Sequence, residues 1–290
     1  MSPTRRRHIV EKVQQEFNVS QRRACQALGI HRSAVRYQPR TSEKRQALVK
    51  RMHELAQKHP RFGYRRVAIL LRQEGWRVNT KRIHRLWRLE GLKVPKKQRK
   101  KRRLGSSANG CTRRRATCPN EVWSYDFVMD QTMDGRRLKI LPIVDEFTRE
   151  CLVMVVARRI TAKDVVAVLA KLFAQRGCPG HLRSDNGPEF IALAVKEWLD
   201  ASKVATLYIE PGSPWENAYS ESFNSRLGDE VLDRELFVSL KEAQVFLEEH
   251  RRYYNDERPH SSLGYVAPAV FMTQYGQTNA ARLDQTAQPV

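Results

Sequence analysis

Three carboxylates are spaced so that they could form one site that cuts a phosphodiester. They are Asp126, Asp185 and Glu221, and thirty-five residues separate the second from the third. Attack of water or of a DNA 3′-hydroxyl on a phosphodiester needs a deprotonated nucleophile and a stabilised leaving oxygen, and two divalent ions about 3.5–4 Å apart provide both. Mg²⁺ prefers oxygen ligands and keeps several waters, so two or three carboxylates plus a substrate phosphate suffice to hold it. The three residues therefore predict a divalent-metal site for nucleic acid chemistry.

Asp126 lies in the first of three consecutive runs with strand character. These runs are Val122–Met129, Leu138–Val144 and Cys151–Val156, and Asp134 with Gly135 supplies the first hairpin turn. We expect three antiparallel strands, with Asp126 in the middle of the first.

Asp185 follows a short strand in a part of the chain where helix and strand alternate. The elements predicted there are a helix from Ala162 to Gln175 that ends at Gly177, the strand His181–Ser184, a helix through Phe190 and Trp198, and the strand Val204–Ile209. Antiparallel strands followed by this alternation predict an α/β domain with a mixed sheet and helices on both faces. We expect Asp185 at the carboxyl end of its strand.

Glu221 lies on a helix that has a clear start signal. Ser213, Pro214 and Glu216 supply an N-cap, a proline at the first helical position and the glutamate of a capping box. Polar and apolar side chains then occupy different faces. The polar face holds Asn217, Glu221, Asn224 and Ser225, and the apolar face holds Tyr219, Phe223 and Leu227. Such a helix packs on a sheet and presents a glutamate.

Other acids in this half carry the same charge as the three candidates. The nearest are Asp130, Asp134, Asp145 and Glu189. Asp145 could cap the turn after its strand or pair with Arg149, and Glu189 could begin a helix beside its positive end. The spacing alone therefore does not select the ligands.

Charge divides the chain into two unlike parts. The 290 residues carry a formal charge of +22. Residues 1–115 contain 34 Lys and Arg against six Glu, whereas the remainder contains 19 basic and 25 acidic residues. A cationic front half suits contact with phosphates, and a mildly acidic back half suits a carboxylate metal site. The asymmetry favours a DNA-binding protein over a merely soluble cationic one.

Residues 1–40 predict a helix-turn-helix DNA-binding domain. A helical pattern up to Phe17 breaks at Asn18, Ser20 caps a second helix, and Gly29 turns the chain into a short basic helix. The residues expected to face the DNA groove are His31, Arg32, Ser33 and Arg36. The alternative is a purely structural three-helix module, which the five arginines among residues 22–40 disfavour.

Residues 41–95 predict a second helical DNA-binding domain. One helix ends at His59, a second begins near Tyr64, and Asn79 or Thr80 caps a third after the turn at Gly75. The expected DNA contacts are Arg65, Arg66, Lys81, Arg82, Arg85 and Arg88.

The segment 96–118 predicts a flexible basic linker, and 276–290 a flexible tail. The linker adds DNA contacts at Lys96, Lys97, Lys100, Lys101, Arg102 and Arg103. Five cysteines, odd in number and scattered, argue against a disulfide framework. No apolar run approaches the roughly 18 residues of a membrane span. We therefore expect a cytoplasmic, nucleoid-associated protein without a membrane partner.

Several motifs in the back half resemble those of a known family. They are Trp123–Val128, Val144–Glu150, Ser184–Phe190, Asn217–Asn224, and Tyr253–His260 with Leu263–Tyr265 and Pro268. Together they resemble the catalytic domain of DDE transposases and retroviral-type integrases, and more closely the OrfB-type transposases of bacterial insertion sequences in the IS-three family. Residues 61–93 also resemble the helical domain that precedes the core in that family.

This resemblance implies a ribonuclease-H-like fold for residues 119–275 and a DDE mechanism with two Mg²⁺ ions, for which Mn²⁺ substitutes. Asp126, Asp185 and Glu221 would be the ligands. Within that function Asn186, Asn217, Asn224 and Arg226 are candidates for supporting the ligands or contacting DNA. Arg226 could contact phosphate or pair with Glu230, four residues on.

The resemblance also implies partners. These are the terminal inverted repeats of an insertion sequence, target DNA, further copies of the chain, and an upstream-frame protein or frameshift fusion. A basic patch expected to meet target DNA comprises His250, Arg251, Arg252, Arg258 and His260. Retroviral-type integrases carry an N-terminal His/Cys zinc module, but His53, His59, Cys111 and Cys118 lack close zinc-site spacing, so no zinc is expected. The alternative function is a DNA-binding repressor or assembly subunit without catalysis; a nuclease without strand transfer leaves the two DNA-binding modules unexplained.

Overall fold

The chain folds into two compact units. The computed structural model describes residues 3–36, 43–95, 115–184, 193–208 and 218–286. One unit is Met1–Glu54 and the other is Leu55–Val290, so the boundary falls inside a helix.

The first unit is helical, as predicted. Its elements are α1 (Pro3–Phe17), α2 (Gln21–Ala27), α3 (Arg32–Arg36) and the first part of α4 (Glu43–Lys58). The hydroxyl of Ser20 caps α2 by accepting a hydrogen bond from the Arg23 N–H at 3.4 Å. Gly29 makes the turn before α3 with a φ of 61°, a conformation that glycine adopts without steric cost. The small core consists of Val10, Ala24, Cys25 and Val35.

The second unit begins with the end of α4 and two short helices. These are α5 (Tyr64–Gln73) and α6 (Thr80–Leu89). Asn79 caps α6 by accepting from the Lys81 N–H at 2.9 Å. Each helix buries its apolar face and exposes the opposite face. The buried residues are Val67, Ala68, Leu71, Ile83, Leu86 and Trp87.

A mixed six-stranded sheet forms the centre of this unit. Its strands are β1 (Val122–Tyr125), β2 (Val128–Gln131), β3 (Arg137–Asp145), β4 (Cys151–Ala157), β5 (His181–Ser184) and β6 (Ala205–Tyr208). The strand β3 pairs with β1 and β2 along one edge and with β4 along the other, and the sheet continues from β1 to β5 and β6. Pairing is antiparallel among β1 to β4 and parallel from β1 through β5 to β6. The predicted mixed sheet is confirmed.

Helices pack on both faces of the sheet. They are α7 (Ala162–Arg176), α8 (Leu193–Ala201), α9 (Ala218–Leu227) and α10 (Leu240–Asp256), and α11 (Pro268–Thr286) packs on α10. Side chains alternate along the strands, so Trp123 and Ile143 join the core under α7 and α8, whereas Ile140 and Val144 join the core under α9 and α10.

Two features of these elements go beyond the sequence prediction. The helix α11 continues as far as Thr286, within the segment 276–290 that was predicted as a flexible tail. A five-residue π-helical turn, Gly228–Leu232, also follows α9 directly and has no counterpart in the sequence prediction. Among the residues that the structure describes, no helix is long and apolar enough to cross a membrane.

The run predicted as one strand around Asp126 is also interrupted, at residues 126–127. The strands β1 and β2 share one register along β3, with Tyr125 opposite Ile143 and Val128 opposite Ile140. That register sets Asp126 opposite Pro142. The Glu146 N–H, just after β3, donates to the Val122 carbonyl of β1. Backbone groups alternate in direction along an antiparallel strand, so those of every second residue before Glu146 point towards β1 and β2. Pro142 is one of these residues and has no N–H to donate to the Asp126 carbonyl.

Candidate active site

Asp126 lies at the carboxyl end of β1, in the break between β1 and β2. It is half-buried. Its Oδ2 accepts a hydrogen bond from the Asn224 Nδ2 on α9 at 3.0 Å. The expectation of a mid-strand position is corrected to this strand end, because the ladder is broken opposite Pro142.

Glu221 is on the same helix as Asn224. The helix turns Ser220, Phe223 and Leu227 inward, where they are 1–3% exposed, and leaves Glu221 at the surface. Residues three apart on a helix are neighbours, so Glu221 and Asn224 lie on adjoining positions of one side. The predicted division into a buried apolar face and a polar face is confirmed. The predicted capping box and Asn217 lie outside the described residues.

The strand that leads to Asp185 is a direct neighbour of β1. Parallel pairing sets Ser124 beside Arg183, and β5 ends at Ser184. Arg183 is fixed by a buried ion pair, in which its Nε donates to the Glu146 Oε1 at 2.9 Å. The carboxyl ends of β1 and β5 therefore meet at one edge of the sheet.

Asp185 itself, with Asn186 and Glu189, lies outside the described residues. The predicted three-carboxylate set is thus incomplete in the part of the chain that the structure describes. Within that part, no group of three or more His, Cys, Asp and Glu side chains is close enough to hold a metal ion.

Asp145 has a structural role rather than a place in the site. It is 1% exposed. Its Oδ1 accepts from the N–H groups of Phe147 and Thr148 at 2.8 and 2.7 Å, and its Oδ2 accepts from the Asn120 N–H at 2.7 Å. Of the two alternatives for Asp145, the local cap is correct.

Of the other candidate acids, the structure describes Asp134 and Asp130. Asp134 accepts from the Thr132 hydroxyl at 2.5 Å and from the Arg136 N–H at 3.2 Å, which closes the predicted hairpin turn. Burial raises the pKa of Asp130, and the charge of Asp233 acts in the same direction. Neither residue is joined to Asp126 by these contacts.

The predicted DNA contacts on α6 form an exposed cationic face. Lys81, Arg82, Arg85 and Arg88 are all exposed, on the side opposite the buried residues of the helix. Arg65 is exposed as well. The predicted linker contacts, Lys96 to Arg103, lie outside the described residues.

The predicted DNA contacts at and beside the short helix α3 differ in their exposure. His31, Ser33 and Arg36 are exposed, whereas Arg32 is half-buried. His31 and Ser33 are joined by a 2.6 Å hydrogen bond between Nδ1 and Oγ, and the Nε of Arg36 donates to Gln21 at 3.2 Å.

Arg66 departs from its predicted role. Its side chain is 12% exposed and lies 3.7 Å from Glu230, with the guanidinium 4.8 Å from the centre of the Phe62 ring. Burial and the neighbouring charge of Arg258 lower the pKa of Arg66 to about 10. The residue stabilises the interior of the second unit instead of facing a DNA groove.

The five residues predicted to form a C-terminal basic patch do not form an exposed basic surface. Arg258 is 1% exposed and donates from Nε and Nη2 to both carboxylate oxygens of Glu230, at 2.7 and 2.6 Å. Arg251 is half-buried and paired with Glu248. Of the five predicted residues only Arg252 is exposed. These basic residues are close together in the sequence, but Arg258 and Arg251 turn inward because Glu230 and Glu248 neutralise them. Glu230 therefore pairs with Arg258, and not with Arg226 as one of the two alternatives for Arg226 had it.

Three histidines around this ion pair are neutral at pH 7. Burial lowers the pKa of His59 to about 4 and that of His250 to about 4. Burial and the charge of Arg258 lower the pKa of His260 to about 3. The ring of His59 stacks between Phe62 and Tyr253, with centroid distances of 4.7 and 5.5 Å. This cluster joins the loop before α5 to the π-helical turn and to α10. The sequence signal was weak, since it consists of isolated residues in separate segments.

Family comparisons agree with this architecture. An integrase core domain family matches residues 116–214, and a second integrase core domain family matches residues 202–268. An HTH-like domain family matches residues 43–102, which include α5 and α6.

Three relatives are similar in sequence to this chain along most of its length. An uncharacterized 39.2 kDa protein of insertion element IS476 from Xanthomonas euvesicatoria is 41% identical over 95% of this chain and 79% of its own length. An uncharacterized 31.7 kDa protein of insertion element IS407 from Burkholderia multivorans is 40% identical over 92% of this chain and 95% of its own. The putative transposase InsK of element IS150 from Escherichia coli is 28% identical over 74% of this chain and 78% of its own. The chain belongs to the family of insertion-sequence transposases, with an HTH-like domain before an integrase core domain.

Proposed function

We propose that this transposase binds the terminal inverted repeats of its insertion sequence and catalyses strand cleavage and strand transfer through Asp126, Asp185 and Glu221. The observation that carries the proposal is the 3.0 Å hydrogen bond from Asn224 to Asp126. It brings the helix of Glu221 to the carboxyl end of β1. The neighbouring strand β5 ends at Ser184, and Asp185 is the next residue in the chain.

The donor set suits Mg²⁺, with Mn²⁺ as a substitute, because all three candidate ligands are carboxylates and hard cations prefer oxygen. Two such ions, when bound, stabilise the attacking and the leaving oxygen of an in-line displacement. The Asn224 amide keeps the Asp126 carboxylate in one orientation. The buried Arg183–Glu146 pair links β5 to the turn after β3. Residues that orient metal ligands in this way typically change activity 10–100-fold when they are lost.

The exposed face of α6 is the best-supported DNA contact of the front half. Its four cations project from a helix whose opposite face is buried, and each neutralised phosphate releases counterions and strengthens binding. Arg65 and the linker lysines and arginines extend the proposed contacts. Recognition of two element ends and a target implies several copies of the chain on DNA, with or without an upstream-frame partner or frameshift fusion.

The test is strand cleavage and joining on labelled duplexes that carry candidate element ends. We expect Mg²⁺-dependent products from the wild-type chain and none from Asp126→Asn, Asp185→Asn or Glu221→Gln, with DNA affinity retained. Asp130→Asn is the matched control, since it removes a half-buried acid near the site, and it should cleave normally. Cleavage by Asp185→Asn at the wild-type rate would contradict the assignment. Specific binding by the wild type with no cleavage under Mg²⁺ or Mn²⁺ would favour the repressor function.

A further inference from the structure

Beyond Asp126 the sheet narrows to three strands. The strands β1 and β5 end at Tyr125 and Ser184, whereas β2, β3 and β4 remain paired past that point. We call these three paired stretches the sheet extension, and its last pair on the β2 side is Gln131 opposite Arg137. A strand rises about 3.4 Å per residue, so the extension reaches about 17 Å beyond Asp126. A duplex held at the carboxyl ends of β1 and β5 therefore has the extension beside it.

One face of the sheet extension is open. Alternate residues of a strand share a face, and so do residues directly opposite each other in an antiparallel pair. Lys139 therefore shares a face with Leu141, two residues along β3, and with Met129, its partner on β2. Leu141 is buried in the core under α7 and α8, but Met129 is 62% exposed. The two helices thus leave this end of the face uncovered, and a groove of about 630 Å³ remains there.

This sheet groove is lined mainly by cations. Its wall comprises Arg137, Lys139, Arg158, Arg159, Met129, Asp130 and Gln131. Among the described residues of the wall, Asp130 is the only acid, and strand alternation turns its side chain to the opposite face together with Val128. On that face Val128 packs in the core under α9 and α10. Burial and then the charge of Asp233 raise the pKa of Asp130, which agrees with a position away from the cations. The sheet groove therefore carries a net positive charge.

Arg158 fixes the shape of the sheet groove. Its Nη1 donates to the Thr132 hydroxyl at 2.7 Å and to the Arg137 carbonyl at 3.2 Å, so it ties the end of β4 to the end of β2 and the start of β3. Asp134 accepts from the same hydroxyl and offsets part of the Arg158 charge. The other two arginines, Arg137 and Arg159, are exposed. Their guanidinium groups are thus carried on strand ends that Arg158 holds together.

The sheet groove reaches the break in which Asp126 lies. The Lys139 Nζ is 3.8 Å from the centre of the Phe127 ring, and Phe127 directly follows Asp126 in the chain. Phe127 packs on the core under α7 and α8, whereas Asp126 bonds to Asn224 on α9, so these two residues face opposite sides of the sheet at one edge. The cations of the sheet groove therefore begin beside the residue next to the proposed metal ligand.

We propose that the sheet groove binds backbone phosphates of target DNA and holds the target duplex for strand transfer. The inference rests on the proposed function, which makes target DNA a substrate. Guanidinium groups pair well with phosphate oxygens. Phosphate contacts fix a duplex without reading its sequence, and the cations here lie on strands with no helix to enter the major groove. The surface therefore suits a target of arbitrary sequence better than an element end that must be recognised. It takes the role that the sequence predicted for the C-terminal basic patch, of which only Arg252 is exposed.

The test compares target capture with element-end cleavage in the full-length chain. The chain is saturated in EDTA with an unlabelled element-end duplex, and a labelled duplex of unrelated sequence is then added at several salt concentrations. Replacing Arg137 and Arg159 with Gln should weaken capture about tenfold and lower the slope of log affinity against log salt by about 2. With Mg²⁺, strand transfer into a plasmid should fall by a similar factor at low plasmid concentration and recover at saturating plasmid. Affinity for the element end and its cleavage should stay within twofold of wild type.

Two double variants serve as controls. Replacing Arg137 and Arg159 with Lys keeps both charges and should preserve capture. Replacing Arg234 and Arg252 with Gln removes two exposed arginines of the same unit that lie outside the sheet groove, and should preserve it as well.

The assignment fails on any of three results. The first is equal capture by wild type and the Gln variant of Arg137 and Arg159. The second is an equal loss in the variant of Arg234 and Arg252, because total charge would then account for the effect. The third is element-end affinity that falls by the same factor as capture, because the sheet groove would then hold the element end. A wild-type chain that captures the unrelated duplex in EDTA as expected, yet joins no strands with Mg²⁺, would contradict the proposed catalysis and leave the sheet groove standing.

Discussion

Asn224 donates from Nδ2 to Oδ2 of Asp126 across 3.0 Å, although the two residues are 98 positions apart in the chain. The bond ties α9 to the break between β1 and β2. Asn224 has a buried neighbour, Phe223, and an exposed one three residues earlier, Glu221. The packing of Phe223 on the sheet thereby sets the distance between the helix and Asp126, and the amide sets the orientation of the carboxylate.

Replacement of Asn224 with Ala should lower strand cleavage about 10–100-fold, because the Asp126 carboxylate loses the group that orients it. DNA affinity should change less than twofold. Single-turnover cleavage and filter binding on the same duplex separate the two effects. Gln277→Ala removes an exposed amide from α11 and is the matched control. A variant that binds DNA tenfold more weakly would show instead that Asn224 contacts the substrate.

The prediction that Asp126 and Glu221 belong to one site rested on the motifs that resemble a known family, because spacing alone did not select them among the other acids, and it stays a prediction. The elements of the sheet domain were predictable: β5 and α7 have nearly the predicted bounds. The break at Asp126 was not, since it depends on Pro142 lying opposite in a register that only the folded sheet defines. Similarly, the burial of Arg258 depends on Glu230, which is 28 residues away and outside the motif that contains Arg258.

The buried ion pair of Glu230 with Arg258 leads to a prediction about stability. Glu230→Ala leaves the Arg258 guanidinium, 1% exposed, and that of Arg66 without the carboxylate that neutralises them. Removing one partner of a buried pair costs about 3–5 kcal/mol in the free energy of unfolding. Urea denaturation followed by tryptophan fluorescence measures this cost. Glu249→Ala, an exposed glutamate on α10, should cost less than about 0.5 kcal/mol. Equal midpoints for the two variants would contradict the structural role.

The neutral histidines predict that stability falls on acidification. Burial lowers the folded-state pKa of His250 to about 4, below its unfolded value near 6.5. Between these values the unfolded chain binds a proton that the folded chain does not, so acid favours unfolding. The contribution is fully present above about pH 6.5 and is lost as the pH falls towards 4. The same sign holds for His59 and His260.

The pH dependence of the unfolding free energy gives the number of protons taken up on unfolding. Near pH 5.5 this number should fall by about one in His250→Gln relative to wild type, because one shifted group is removed. His53→Gln, at a histidine of the first unit, serves as the control. An unchanged slope in His250→Gln would show that His250 is protonated in the folded protein.

The cationic face of α6 predicts salt-dependent DNA binding. Replacing Arg82 and Arg85 with Gln should lower affinity and reduce the slope of log affinity against log salt by about 2, close to one per phosphate contact. The fold should not change, because both side chains are exposed. Fluorescence anisotropy with a labelled duplex at several salt concentrations measures the slope. Lys241→Gln, an exposed cation at the start of α10, should leave it unaltered. A slope that stays at the wild-type value in the double variant would remove α6 from the DNA interface.

Pro142 predicts how the geometry of Asp126 is maintained. Pro142→Val restores an N–H on the edge of β3 that faces Asp126, and the two side chains have similar volume, so the core should tolerate the change. The new N–H can donate to the Asp126 carbonyl and extend β1 into β2 as one strand. We expect unfolding within about 1.5 kcal/mol of wild type and slower strand cleavage, because a regular ladder redirects the Asp126 side chain. Amide hydrogen exchange at Val128 and cleavage kinetics report the two effects. Leu141→Val changes the neighbouring buried residue without adding an N–H, so it should affect stability alone. Wild-type cleavage in Pro142→Val would mean that the break is dispensable for the site.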